Sequence, residues 1–112
     1  MEEIEKKFWN CLELPNNKTS RKVYMSFVEE HARGIKLRSG SDICFLISGI
    51  TSLDYGTVKK HLKMLERLGY ITAKGIAIFP VLKTKCSELE ELYEDFKKFM
   101  KEYDEYVEII NI

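Results

Sequence analysis

The 112-residue sequence predicts a mainly α fold with a small β-hairpin, opened by an N-terminal helix and closed by a long C-terminal one. Three patterns carry that expectation. Val58, Leu62, Leu65 and Leu68 recur at the spacing of one helix face. "YITAKGIAIF" reads as two short apolar runs around Lys74-Gly75, where a glycine in the turn permits a tight hairpin. Leu89, Leu92, Phe96, Phe99, Tyr103, Tyr106 and Ile110 alternate steps of three and four, the stripe of a coiled-coil-like helix.

The other elements follow in chain order. Residues 2–14 place Ile4, Phe8, Cys11 and Leu12 on one helical face, and Pro15 with the Asn16-Asn17 pair breaks the pattern. Thr19 or Ser20 is placed to cap a second helix with the face Val23, Tyr24, Phe27, Val28 and His31, and Gly34 to stop it. Ile35 and Leu37 alternate with Lys36 and Arg38, predicting a brief strand. "SDICFLISG" predicts a short buried helix, with Ser41 and Asp42 as cap candidates and a stop near Gly49. Ser52 then caps the helix that holds the Val58 stripe, and Gly69 ends it. Trp9 is expected in the core or under the C-terminal helix. The resulting division is 1–18 (helix and turn), 19–82 (central domain) and 83–112 (C-terminal helix). That last helix either joins two copies of the chain through its stripe or folds back on its own domain; we assign the stripe to a homodimer interface.

Hydrophobic content of 45% with 12% aromatics is more than a disordered chain carries. No apolar run approaches the ~20 residues of a membrane span, and "MEEIEKKFWN" lacks the apolar core of a signal peptide, so a cytoplasmic protein without a membrane partner is expected. Cys11, Cys44 and Cys86 are odd in number and far apart, and with only His31 and His61 beside them they lack the spacing of a zinc site or a disulfide framework. They are expected as small buried hydrophobes, and His61 as a satisfied or partly exposed histidine beside the core. No phosphate-loop, nucleophile-elbow or zinc-protease motif is present, and the carboxylates of 88–108 alternate with lysines as on a solvated face. Neither catalysis nor a cofactor or metal is expected. The neutral total hides an asymmetry: residues 1–85 hold 15 Lys/Arg and 9 Asp/Glu, residues 86–112 hold 3 and 9.

Ser52, Thr57-Val58, Lys59-Lys60, Leu62, Lys63, Leu65 and Gly69-Tyr70-Ile71, followed by the hairpin, resemble a winged helix-turn-helix domain over roughly residues 19–82. The long C-terminal helix adds a resemblance to MarR- and PadR-like regulators and to small regulators of archaea and their viruses. The resemblance implies a transcriptional regulator that binds double-stranded DNA, with the Asp54–Leu68 helix in the major groove and the hairpin as its wing. A two-fold dimer would place half-sites about one helical turn apart. Such domains also serve as protein–protein modules in transcription and replication, and that is the alternative reading.

Off the stripe, the helix presents Tyr55, Gly56, Lys59, Lys60, Lys63 and Arg67. Lysine and arginine there supply mostly sequence-independent affinity by releasing counterions, so base reading falls to Tyr55, Thr57, Lys59 or Lys60. Gly56 is either an opening for close approach of DNA or simply tolerated in a first turn, and Tyr55 either touches DNA or packs on the preceding helix. Asp54 is expected to stabilise the first turn through the helix dipole. The hairpin offers one cation, Lys74, while Ile71, Ile76, Ile78 and Phe79 are expected as packing. Arg38 joins the DNA-contacting set, with Arg21, Lys22, Lys83 and Lys85 as flanking phosphate candidates.

Overall fold

The computed structural model describes residues 3–35 and 39–110, with side chains through residue 102. Among these residues the order is α1 (Glu3–Cys11), α2 (Lys18–Ala32), α3 (Gly40–Thr51), α4 (Tyr55–Arg67), β1 (Ile71–Lys74), β2 (Ala77–Pro80) and α5 (Leu89–Ile110). The protein is thus mainly helical, with one two-stranded antiparallel sheet. No helix of the described residues is long and apolar enough to cross a membrane.

The chain divides into two compact units, residues 14–82 and residues 1–13 together with 83–112. This boundary differs from the predicted one, because α1 belongs with the C-terminal helix rather than standing alone. In the discontinuous unit, Phe8 stacks on Phe96 at 4.2 Å between ring centroids, and the Trp9 ring meets Phe96 edge-on at 5.5 Å. Phe8 and Phe96 are fully buried, and Met100 nearly so. α5 therefore folds back on α1 of the same chain, and Phe96, assigned above to a dimer interface, is spent on that intrachain packing. Leu89, Leu92 and Phe99 are half-buried, while Tyr103, Tyr106 and Ile110 lie where side chains are outside the described residues. Leu12 and Thr84 form an isolated antiparallel bridge, flanked by Lys85 N–H to Cys11 O and Glu13 N–H to Lys83 O, both 2.8 Å.

Within residues 14–82, α2, α3 and α4 enclose a core of Val23, Tyr24, Phe27, Val28, Ile43, Ile47, Val58 and Leu65, each at most 3% exposed. Burial of a side chain of this size contributes about 1.5–3 kcal/mol. Two polar contacts are built into this core. Ser20 Oγ and His61 Nδ1 share a buried hydrogen bond of 2.8 Å, which satisfies that ring nitrogen. Tyr24 Oη donates to the Val81 carbonyl at 2.6 Å and ties α2 to the segment leaving the hairpin. His31, placed by periodicity on the same face, is exposed, one turn beyond the core and beside Phe79 at the rim.

The helix N-caps depart from the expected ones, two lying earlier in the chain and one later. Asn17 caps α2, Ser39 caps α3 and Asp54 caps α4, each accepting the amide three residues on. These replace the expected Thr19 or Ser20, Ser41 or Asp42, and Ser52. Ser52 instead terminates α3 in the left-handed region (φ 63°), and α3 runs through Gly49 to Thr51. Gly34 and Gly69 follow α2 and α4 with positive φ, where only glycine is unstrained. α3 is not wholly buried: Ile43, Cys44 and Ile47 are, but Phe45 is 68% exposed and Ile50 is also outside. The brief strand expected from Ile35 is not observed at Ile35, which is irregular and exposed, and 36–38 lie outside the described residues.

Candidate nucleic-acid interface

The α3–α4 connection is only three residues, Ser52 to Asp54, and side chains close it. Ser48 Oγ donates to the Leu53 carbonyl at 2.5 Å, and the Leu53 amide donates to Thr51 Oγ1 at 3.3 Å. Asp54 Oδ1 accepts the Thr57 amide at 2.9 Å, and the Thr57 hydroxyl adds a second hydrogen bond. These bonds hold the Asp54 carboxyl below its ordinary value. A depressed carboxylate contributes stability above its unfolded pKa of about 3.9, and that contribution is lost as pH falls through the lower folded value. Asp54→Asn is accordingly expected to keep the cap at neutral pH while flattening the loss of stability in acid, read from melting curves between about pH 2 and 7.

With its first turn fixed, α4 turns Val58, His61, Leu62 and Leu65 inward and its cations outward. Gly56, Lys59, Lys60, Lys63, Met64 and Arg67 line one shallow depression of about 580 Å³. The four cations are exposed, and Glu66 is the acidic residue next to them on α4. A second concavity, about 370 Å³, lies between the start of α3, α4 and the hairpin. Lys59 and Lys63 border it together with Tyr55, Ser39, Ile71 and Ile76. Charge follows the same division: residues 14–82 carry 11 Lys/Arg against 5 Asp/Glu, and the other unit carries 7 against 13. The basic character expected of residues 1–85 thus belongs to the 14–82 unit alone.

No family model matches the chain, and comparison with curated proteins and with solved structures gave no match.

The sequence-derived residues do not all share one site. Gly56, Lys59, Lys60, Lys63 and Arg67 do. Thr57 is half-buried and committed, hydroxyl and amide, to the Asp54 cap. Lys74 stands on the hairpin, with Nζ 6.0 Å from the centre of the Phe79 ring, and does not line the α4 depression. Arg38 lies outside the described residues. Arg21 is turned back on its own chain, donating to the Pro15 and Asn16 carbonyls at 3.0 and 3.2 Å. Lys22 is exposed, and Lys83 and Lys85 belong to the other unit.

Tyr55 packs on α3, as one of its two readings had it, with its ring 4.7 Å from that of Phe45. That partner is itself largely exposed, so an aromatic pair fronts the α3–α4 corner. The hairpin is less of a packing element than expected. Ile71 is buried and pairs with Pro80, but Ile76 is 76% exposed in the Gly75-Ile76 turn and Phe79 is partly so. Gly75 has φ 64°, the positive value a primed hairpin turn requires at its first position. Phe45 and Ile76 are surface residues missed from sequence, and Leu68, expected as the last member of the apolar stripe, is the C-cap of α4 and 57% exposed.

Gly56 has ordinary helical φ, and a Cβ placed there meets nothing within 4 Å. The fold therefore does not require this glycine. Gly56→Ala is expected to stabilise the protein by up to about 1 kcal/mol, because alanine is the better helix former. If close approach of a backbone or base is its purpose, the same change weakens DNA binding. Paired melting and binding curves separate the two outcomes.

Proposed function

We propose that residues 14–82 are a winged helix-turn-helix domain that binds double-stranded DNA through α4, sequence-specifically, in a small transcriptional regulator. The observation that carries this reading is the α4 depression, where four exposed cations and an open glycine share one face of a unit rich in Lys and Arg. The major groove admits one helix, and its phosphate rims favour cations flanking that helix. In this reading the positioning helix is α3 and the wing is the β1–β2 hairpin. With Thr57 tied to the cap, base reading falls to Tyr55, Lys59 and Lys60, and Phe45 is a further apolar contact for a thymine methyl. Lys74 and the exposed Ile76 approach the minor groove.

Dimerisation belongs to the same proposal, moved along α5. The nine residues of α1 span about 14 Å and the 22 of α5 about 33 Å. Pairing of two chains is left to the part of α5 beyond Met100. Sedimentation at micromolar concentration tests it, and a monomer throughout removes it.

The exposed Ile76 and Phe79 favour a second reading, a module that docks on a protein partner through an apolar hairpin. A titration of duplex DNA between about 50 and 200 mM salt separates the two. The DNA reading requires log K to fall linearly with log salt, and no binding at low salt ends it.

A further inference from the structure

The chain's sulfur chemistry is not where its sequence spacing places it. Cys11 and Cys86 stand 75 positions apart, yet the Cys86 thiol points at the Cys11 carbonyl, with Sγ 3.9 Å from the oxygen. The Lys85 amide donates to that same carbonyl at 2.8 Å, which holds the two backbones at the roughly 5 Å spacing of paired strands. Thr84 organises the pocket. Its hydroxyl donates to the Cys86 carbonyl at 2.7 Å and accepts the Cys86 amide at 2.9 Å, and it lies 3.4 Å from Cys11 Sγ. Cys11 is buried and Cys86 is half-exposed, so one sulfur of the pair is open to a reagent and the other waits behind it.

We infer that Cys11 and Cys86 are the site of an intrachain disulfide, formed by exchange with a low-molecular-weight disulfide such as oxidised glutathione. The Cys86 thiolate attacks a glutathione sulfur, giving a mixed disulfide and one reduced glutathione. Cys11, losing its proton, attacks the Cys86 sulfur and displaces the second glutathione. Two thiols lose two protons and two electrons in total, and one oxidised glutathione becomes two reduced ones. The reduced pair is not built as a reactive dithiol: hydrogen bonding to the Cys11 thiol pushes Cys86 up to about 11, aided by its partial burial and by Glu88. A pair whose thiolate is not stabilised is a weak oxidant, so the bond, once made, resists reduction. The cross-link would close both ends of the 14–82 unit inside one covalent loop.

The test uses the full chain, treated with oxidised glutathione or with a phosphine reductant, then alkylated under denaturing conditions. Expected are an oxidised chain lighter by two hydrogens, one alkylated cysteine (Cys44), and a linked peptide pair holding Cys11 and Cys86. The melting temperature should exceed that of the reduced chain by roughly 10–20 °C, from the long loop closed in the unfolded state. Cys86→Ser should show no difference in melting between the two treatments. Cys44→Ser, which buries a hydroxyl and lowers both melting points, should keep the difference. Three alkylated thiols after oxidation, a bond that uses Cys44 or joins two chains, or equal melting of the two forms would each overturn the inference. All three are read on the unaltered chain, so no variant has to fold for the test to decide.

Discussion

If the 14–82 unit binds duplex DNA as proposed, replacing Lys59, Lys60 and Lys63 together by alanine is expected to lower that affinity by roughly 10²–10³-fold at about 0.1 M salt. The size follows from counterion release. Every phosphate that goes unneutralised takes about 0.9 from the slope of log K against log salt, so the triple variant should be shallower by about 2.7. All three side chains are exposed, so the substitutions leave the core untouched and each should leave stability within about 0.5 kcal/mol. Glutamate at the same positions should go further and abolish binding. Lys98→Ala with Lys101→Ala is the control, since both lysines lie on α5 in the acidic unit and should leave the slope unchanged. If the α5 pair lowers the slope as much as the α4 triple, the DNA surface is not α4.

The second large effect is on stability. Phe8→Ala and Phe96→Ala are each expected to cost about 3–5 kcal/mol, a large part of the roughly 5–15 kcal/mol that holds a protein of this kind together. Both rings are fully buried, stack on one another, and are braced by Trp9 and Tyr93, so truncation leaves a cavity the neighbours cannot fill. Because the rings touch, the double variant should cost less than the two singles added. Phe96→Leu, which keeps most of the volume, should cost under about 1.5 kcal/mol. The measurement also separates the two packings of α5 that its stripe allows. Intrachain packing gives a loss independent of protein concentration, whereas a seam between copies gives a melting point that rises with concentration in the parent and not in the variant.

How far the fold is legible depends on whether the signal is local. Val58, Leu62 and Leu65 announce α4 because a helix with one wet face must repeat its apolar residues every three or four positions. Gly34, Gly69 and Gly75 announce helix ends and a turn because few other residues accept positive φ. The caps are harder. Asn17 competes with Thr19 and Ser20, and Asp54 with Ser52, all chemically able, and the choice rests on a start point that periodicity fixes only to a turn. In α3 the run Ile43 to Ile47 is apolar on every side, so nothing local marks Phe45 as the residue left outside. Of the site, the α4 cations are readable as one face of one helix. The commitment of Thr57 and Arg21 to nearby backbone and cap is not, nor is the meeting of Cys11 with Cys86, which is made by chain path alone. The stripe of α5 marks a packing surface, but a periodic stripe does not name its partner, and α1 supplies one from the same chain.

The bridge between Leu12 and Thr84 has a consequence for how this chain can be rewired. Residues 13 and 83 are joined by a backbone hydrogen bond, so the chain enters and leaves the 14–82 unit through one doorway. Topologically, that unit is an insertion in a helical hairpin made of α1 and α5. A unit with neighbouring ends tolerates permutation: a short linker from residue 82 to residue 14, with new termini cut at the Gly75-Ile76 turn, keeps every helix of the unit intact. The same doorway makes the unit portable, since grafting it into another protein asks of the host only a loop whose ends lie a strand's width apart.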